Sequence, residues 1–157
     1  MKKIIKLFID IVFIIIIVIL AGYFILRLTG KLNTYRVETG SMEPAIHVND
    51  YIMVFETNDY KEKDIVTFKY ENTLVTHRIV EVNDNKVTTK GDANNTNDDE
   101  IDKSSIVGEV ILAGGIINII INYKFVIIAL MLIIYLLSCY IEKDKEQIKK
   151  EDKDEEK

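Results

Sequence analysis

The sequence predicts a small, mainly β domain with antiparallel strand pairing, carried between two transmembrane helices. Three observations predict it. Hydrophobic residues make up 48% of the 157 residues, but the excess is concentrated in two runs near the ends. Between those runs lie short segments rich in Val, Ile, Thr and aromatics, separated by turn residues. Helical periodicity and internal repeats are both missing from that middle region. The length suits one domain.

The first apolar run carries no charge over the 16 residues from Ile11 to Leu26. With Leu7 to Asp10 added, it reaches the roughly 20 residues that a hydrocarbon core requires. Lys6 and Asp10 then lie near the membrane surface, and Lys2, Lys3 and Lys6 mark the N-terminus as cytoplasmic. A retained anchor is expected, because Leu26, Arg27 and Leu28 stand where a cleaved leader would present small residues. The second run, Phe125 to Ile141, has 17 uncharged residues. It is a little short for a span at about 1.5 Å per residue, but Lys124 can snorkel to the interface. Leu130 to Leu137 shows no polar face, which favours a membrane helix over a core helix. Ile111 to Tyr123, broken by two glycines and two asparagines, reads as a last strand followed by an interfacial segment. Glu142 to Lys157 mixes acid and base and reads as a solvated helix or a disordered end. The expected organisation is a stub and anchor over 1–28, an extracytoplasmic β domain over 29–115, an apolar linker and second span over 116–141, and a charged cytoplasmic tail over 142–157. Lysines in the long external segment do not oppose this topology, since long domains cross largely regardless of charge.

Expected strands are Tyr51 to Phe55, Ile65 to Tyr70, Leu74 to Val82, Lys86 to Thr89 and Ile106 to Leu112, with a turn at Asn83, Asp84 and Asn85. The formal charge of -5 argues against nucleic acid as a partner. One cysteine, Cys139, rules out an intrachain disulfide and a cysteine-based metal site.

Candidate chemistry begins at Thr39-Gly40-Ser41-Met42-Glu43-Pro44. Gly40 permits an unusual backbone angle or a close approach, and Pro44 stiffens the exit. A serine is a weak nucleophile unless a base lies within hydrogen-bond reach. Two histidines offer one. His77 lies within a strand pattern and His47 in a loop; a strand holds a side chain more rigidly, so His77 is the expected base and His47 a structural residue. Such a base needs a carboxylate to fix its tautomer. The polar string Lys90 to Asp99 offers several. It lacks the regular spacing and bidentate Glu of a calcium loop, so no metal and no cofactor is expected.

Four strings now stand in order: GSMEP at 40–44, DYIMV at 50–54, THRIV at 76–80 and TKGDANN at 89–95. Together they resemble the boxes of type I signal peptidases over about residues 36 to 112. A histidine in the third box resembles the endoplasmic-reticulum type, also found in archaea and in Gram-positive sporulation peptidases, where the commoner bacterial type has lysine. The resemblance implies a signal-peptidase-like β domain with Ser41 as nucleophile and His77 as general base. It makes Asp98 the third member, with neighbouring Asp99 able to exchange roles. It also makes Asp92 important, either orienting the histidine or holding the loop. Glu43 and Arg78 read as structural.

The resemblance further implies oxyanion donors at the Ser41 backbone N–H and the Thr39 hydroxyl. The substrate would bind as an added strand, with Met42, Leu74, Val75 and Thr76 as walls of its groove. The implied partners are signal peptides of exported preproteins, the lipid bilayer and the neighbourhood of the Sec translocon. The rival readings are a non-catalytic membrane-anchored β module, a calcium-stabilised structural protein and a serine–lysine self-cleaving fold. The last would want a lysine in the base position.

Overall fold

The computed structural model describes residues 2–155; Met1 of the expected stub and the last two residues of the expected tail lie outside it. Helix α1 spans Lys2–Leu28. It is followed by strands β1 (Leu32–Arg36), β2 (Tyr51–Phe55), β3 (Ile65–Tyr70), β4 (Thr73–Asn83), β5 (Lys86–Lys90), β6 (Ile101–Asp102) and β7 (Ile106–Ala113). Helix α2 spans Gly115–Glu155. The described residues form two compact units: residues 23–122, and the helical segments up to residue 22 and from residue 123.

In the first unit, seven strands form one sheet in the order β1-β2-β7-β3-β4-β5-β6. Every pairing is antiparallel. The mainly β fold class read from the sequence is therefore the fold observed. The alternation in the sequence explains the strands: in β2, Ile52 and Val54 are buried while their neighbours are partly exposed. Each such side chain removed from water contributes about 1.5–3 kcal/mol. One buried cluster is built on Tyr60, Val66, Phe68, Ile79 and Val87. A second is built on Met42, Ile46, Ile52 and Val54. The β4–β5 turn falls at Asp84 and Asn85, with Asp84 at φ +29°. A register shift between Ile79 and Glu81 marks a bulge in β4, two residues beyond His77.

The pairing ladder positions the site. Thr73–His77 of β4 pair with β3 on one side, whereas β5 joins β4 only from Arg78 onward. Half of β4 thus has a free edge among the described residues.

The second unit carries most of the apolar surface. Among the described residues two helices, which run on from it into the first unit, are long and apolar enough to cross a membrane, Lys6–Leu28 with 23 residues and Gly115–Ile141 with 27. Within this unit Phe13 stacks on Tyr135 with ring centroids 4.4 Å apart, and Lys6 pairs with Asp10 at 3.1 Å.

The helix of the second apolar run starts earlier than Phe125 and takes in residues 116–124, directly after β7. Gly114 (φ +56°) and Gly115 (φ +47°) turn the chain sharply after β7, and the helix begins at once. Only glycine adopts such angles without strain. The strands β1 and β6 carry weak sequence signals, LNTYR and ID, and are held in place by their neighbours' ladders.

Candidate active site

Ser41 sits in the segment between β1 and β2, which closes on itself at its neck. The Val37 N–H donates to the Asp50 carbonyl at 2.8 Å, and the Asn49 N–H donates to the Val37 carbonyl at 2.8 Å. Inside the loop, the Glu43 N–H bonds the Gly40 carbonyl and the Ile46 N–H bonds the Met42 carbonyl. The Glu43–Pro44 peptide is cis. Met42 and Ile46 are almost wholly buried, 2% and 0% exposed, and peg the loop into the second core cluster. Met42, expected as a wall of the substrate groove, thus has its side chain closed off from solvent in this structure. The expectation for Gly40 also changes. Its φ is not positive, and an added Cβ would meet ordinary contacts from 3.4 Å outward, so neither strain nor close approach demands glycine there.

Gly91 is the glycine that close approach does demand. A Cβ there would lie 2.7 Å from the Ser41 carbonyl oxygen and 2.7 Å from the Asn94 amide nitrogen. The Ala93 N–H donates to that same Ser41 carbonyl at 2.9 Å. The loop after β5 is therefore laid directly against the serine.

His77 reaches the serine from β4. Its Nε2 lies 3.1 Å from Ser41 Oγ. Its Nδ1 lies 2.6 Å from Asp98 Oδ2. The imidazole is buried and meets Phe68 edge-on, with centroids 6.3 Å apart. Serine, histidine and aspartate thus stand in one hydrogen-bonded line, the arrangement by which a base takes a hydroxyl proton while an acid fixes its tautomer. Asp98 faces His77, while the neighbouring Asp99 is exposed.

Asp92 does not face the imidazole. Its two oxygens take the Arg78 guanidinium at 2.8 and 2.6 Å. Arg78 also donates to the Lys63 carbonyl at 2.9 Å. Of the two roles open to Asp92, the bonds observed are those of loop holding. The bidentate pair pushes the Arg78 pKa above its ordinary value, chiefly through the Asp92 hydrogen bonds.

Thr89 was given no role by its sequence. It is fully buried, and its hydroxyl donates to Asp98 Oδ2 at 2.7 Å, the oxygen that also faces His77. The Asp98 N–H in turn donates to the Thr89 carbonyl at 2.8 Å. It opens the string TKGDANN, but nothing in its residue type points to a role beside the aspartate.

The Ser41 N–H has no acceptor among the described residues, and Thr39 is exposed nearby in sequence. Leu74 is exposed, Val75 packs against the first core cluster, and the Thr76 hydroxyl is shared with Thr67 at 2.9 Å. His47 is exposed and turns to Asp50, not to Ser41, for its backbone bond. Among the described residues no group of three or more His, Cys, Asp or Glu is placed to hold a metal.

A family model described as signal peptidase, peptidase S26, matches residues 5–113, more than two thirds of the chain. Comparison with curated proteins gives no match.

Proposed function

The chain belongs to the signal peptidase family, peptidase S26, and from that premise we propose that it is a membrane-bound serine endopeptidase of type I with a histidine base. The observation that carries this reading is the line Ser41 Oγ–His77 Nε2–Asp98 Oδ2, at 3.1 and 2.6 Å. Its substrates are the signal peptides of exported preproteins, cut after small residues at the -1 and -3 positions. Both termini lie in the cytoplasm and the β domain outside it, near the Sec translocon.

The substrate enters as an extended strand along the free edge of Thr73–His77, where unpaired backbone groups await a partner. Main-chain bonding on that edge gives register, and Leu74 offers apolar contact. His77 Nε2 takes the Ser41 proton as Oγ attacks the scissile carbonyl carbon. The tetrahedral oxyanion is met by the Ser41 N–H and the Thr39 hydroxyl. Protonated His77 then donates to the leaving amine, which breaks the C–N bond and leaves an acyl-serine. Water, deprotonated by His77, hydrolyses that ester and restores the serine. Asp98 holds the imidazole in the tautomer with the proton on Nδ1 and stabilises the imidazolium in both halves. Two spans confine enzyme and inserted substrate to one surface and raise their effective concentration.

Cleavage of a membrane-inserted preprotein by the full chain in liposomes tests the reading. Wild type cuts after a small residue, while Ser41→Ala and His77→Ala retain only background. Cleavage by Ser41→Ala at the wild-type rate overturns it and leaves a non-catalytic β module.

A further inference from the structure

The neck of the serine loop rests on two backbone hydrogen bonds, one of them to Asp50. Asp50 is held in turn by a residue from the second apolar helix. Asn118 Nδ2 donates to Asp50 Oδ1 at 2.7 Å, and Asn118 Oδ1 accepts the Tyr51 N–H at 2.7 Å. The other Asp50 oxygen accepts the His47 N–H at 2.9 Å. One amide thus bridges the end of the loop and the start of β2, and the carboxylate beside it ties back into the loop.

The surroundings are built to fit. Ile117, next to Asn118, is 1% exposed and roots this end of the helix. The Gly114 N–H donates to the Tyr51 carbonyl at 2.9 Å, and a Cβ on Gly114 would lie 2.8 Å from Asp50 Oδ2. Asn118 interrupts an otherwise apolar helical run, and a partly buried amide is costly unless it is bonded. The Asp50 carboxyl is held below its ordinary value, chiefly by the His47 backbone N–H and next by Asn118. The bonds to it are therefore charge-assisted.

We infer that Asn118 is a positioning residue: through Asp50 it fixes the neck of the loop that presents Ser41 to His77, making the first turns of the second apolar helix part of the active-site scaffold. The inference rests on the peptidase reading for its kinetic consequence, but not for its structural one. A displacement of about 1 Å at a nucleophile costs on the order of 100-fold in rate, while the strand edge that takes the substrate lies in β4 and is untouched. The effect belongs in kcat and not in KM.

The pair also permits an exchange. With Asp at 118 and Asn at 50, the Tyr51 N–H, the His47 N–H and the side chain-to-side chain bond all keep a donor and an acceptor. The test compares wild type, Asn118→Asp, and the double variant Asp50→Asn with Asn118→Asp, each as the full chain in liposomes. Preprotein cleavage gives kcat and KM, and hydrogen exchange gives the opening of residues 37–50. Asn118→Asp sets two carboxylates face to face. It is expected to lower kcat roughly 10- to 100-fold at unchanged KM and to speed exchange of the Val37 and Asn49 amides; the exchanged pair restores both. Loop exchange in Asn118→Asp within twofold of wild type overturns the clamp, as does a double variant with wild-type thermal stability whose loop still opens as in the single variant. Exchange that responds as expected in a chain without Ser41-dependent cleavage upholds the clamp and rejects the peptidase reading instead.

Discussion

Two histidines in this chain each face an aspartate, and the two pairs differ in burial, in bond length and in what stands beyond them. His77 Nδ1 meets Asp98 at 2.6 Å, with the imidazole side chain 10% exposed. His47 Nδ1 stands 3.6 Å from Asp50, beyond hydrogen-bond length, with its side chain 67% exposed. The Asp98 oxygen that faces the imidazole is also bonded by a buried hydroxyl, that of Thr89. The Asp50 oxygens are taken by a backbone N–H and by an amide. Among the described residues only the first pair has a hydroxyl on the far imidazole nitrogen, Ser41 at 3.1 Å. The residue types are the same. Burial, a short bond and a third partner suit the first pair to the proton transfer proposed for it, while the other pair uses its carboxylate to hold backbone.

The contrast breaks most easily at the serine end. Ser41→Ala and His77→Ala are each expected to lower kcat by about 10^4-fold or more, and the double variant to be little worse than either, because the groups act as a unit. Additive losses in single-turnover cleavage assays would show that they do not. Asp98→Asn comes next, at about 10^3- to 10^4-fold, because an amide facing Nδ1 favours the wrong tautomer. Asp50→Asn should leave far more activity than Asp98→Asn, and equal losses in the two would erase the distinction drawn between the pairs.

Thr89 sharpens the same comparison. Thr89→Val keeps the shape and removes the donor to Asp98; a loss of about tenfold in kcat is expected from one hydrogen bond to a charged group. Thr89→Ser should recover most of that loss, and a serine variant as slow as valine would assign Thr89 to packing alone.

For the second pair a further signature is expected in stability. The folded-state pKa of Asp50 lies below its ordinary 3.8. An acid depressed in the folded state contributes stability that is present above its unfolded pKa and lost as pH falls through its folded pKa. Thermal unfolding of wild type against Asp50→Asn should therefore differ most above pH of about 4 and converge toward lower pH. Curves that run parallel down to pH of about 2 would mean that the charge on Asp50 contributes nothing. The smallest effect belongs to His47→Ala. Its ring stands 3.6 Å from Asp50, and the backbone N–H that holds Asp50 remains in the variant, so cleavage should stay within about twofold of wild type. A larger loss would move His47 from scaffold to site.

Much of this was legible along the chain. The strands Tyr51–Phe55 and Ile65–Tyr70 carry their alternation and β-branched content openly, and they stand where expected. The serine, the strand-borne histidine and the acidic loop stood out as candidates because chemistry limits which side chains can serve as nucleophile, base and orienting acid, and the fold brings the three together. The short strands β1 and β6 were not legible, since their own residues barely prefer a strand and neighbours impose one. Asn118 and Asn122 looked like interruptions of an apolar run. The first is in fact a hydrogen-bonding member of a helix that starts at Gly115.

By itself, then, the sequence determined what depends on nearest neighbours: two runs long and apolar enough to span, a middle built of short strands, and the residue types a serine hydrolase requires in their order. Tertiary structure decided what depends on register and loop closure. Ser41 and His77 are 36 residues apart, and His77 and Asp98 are 21 apart. No local pattern says which of several acids the imidazole meets. That choice followed from the β4–β5 ladder, which carries Thr89 and the loop beyond it back across His77. The same ladder sent Asp92 to Arg78, loop closure sent Met42 into the core, and a contact across 68 residues sent Asn118 to Asp50. Each of these is a matter of where two distant segments cross, and only the folded chain fixes where they do.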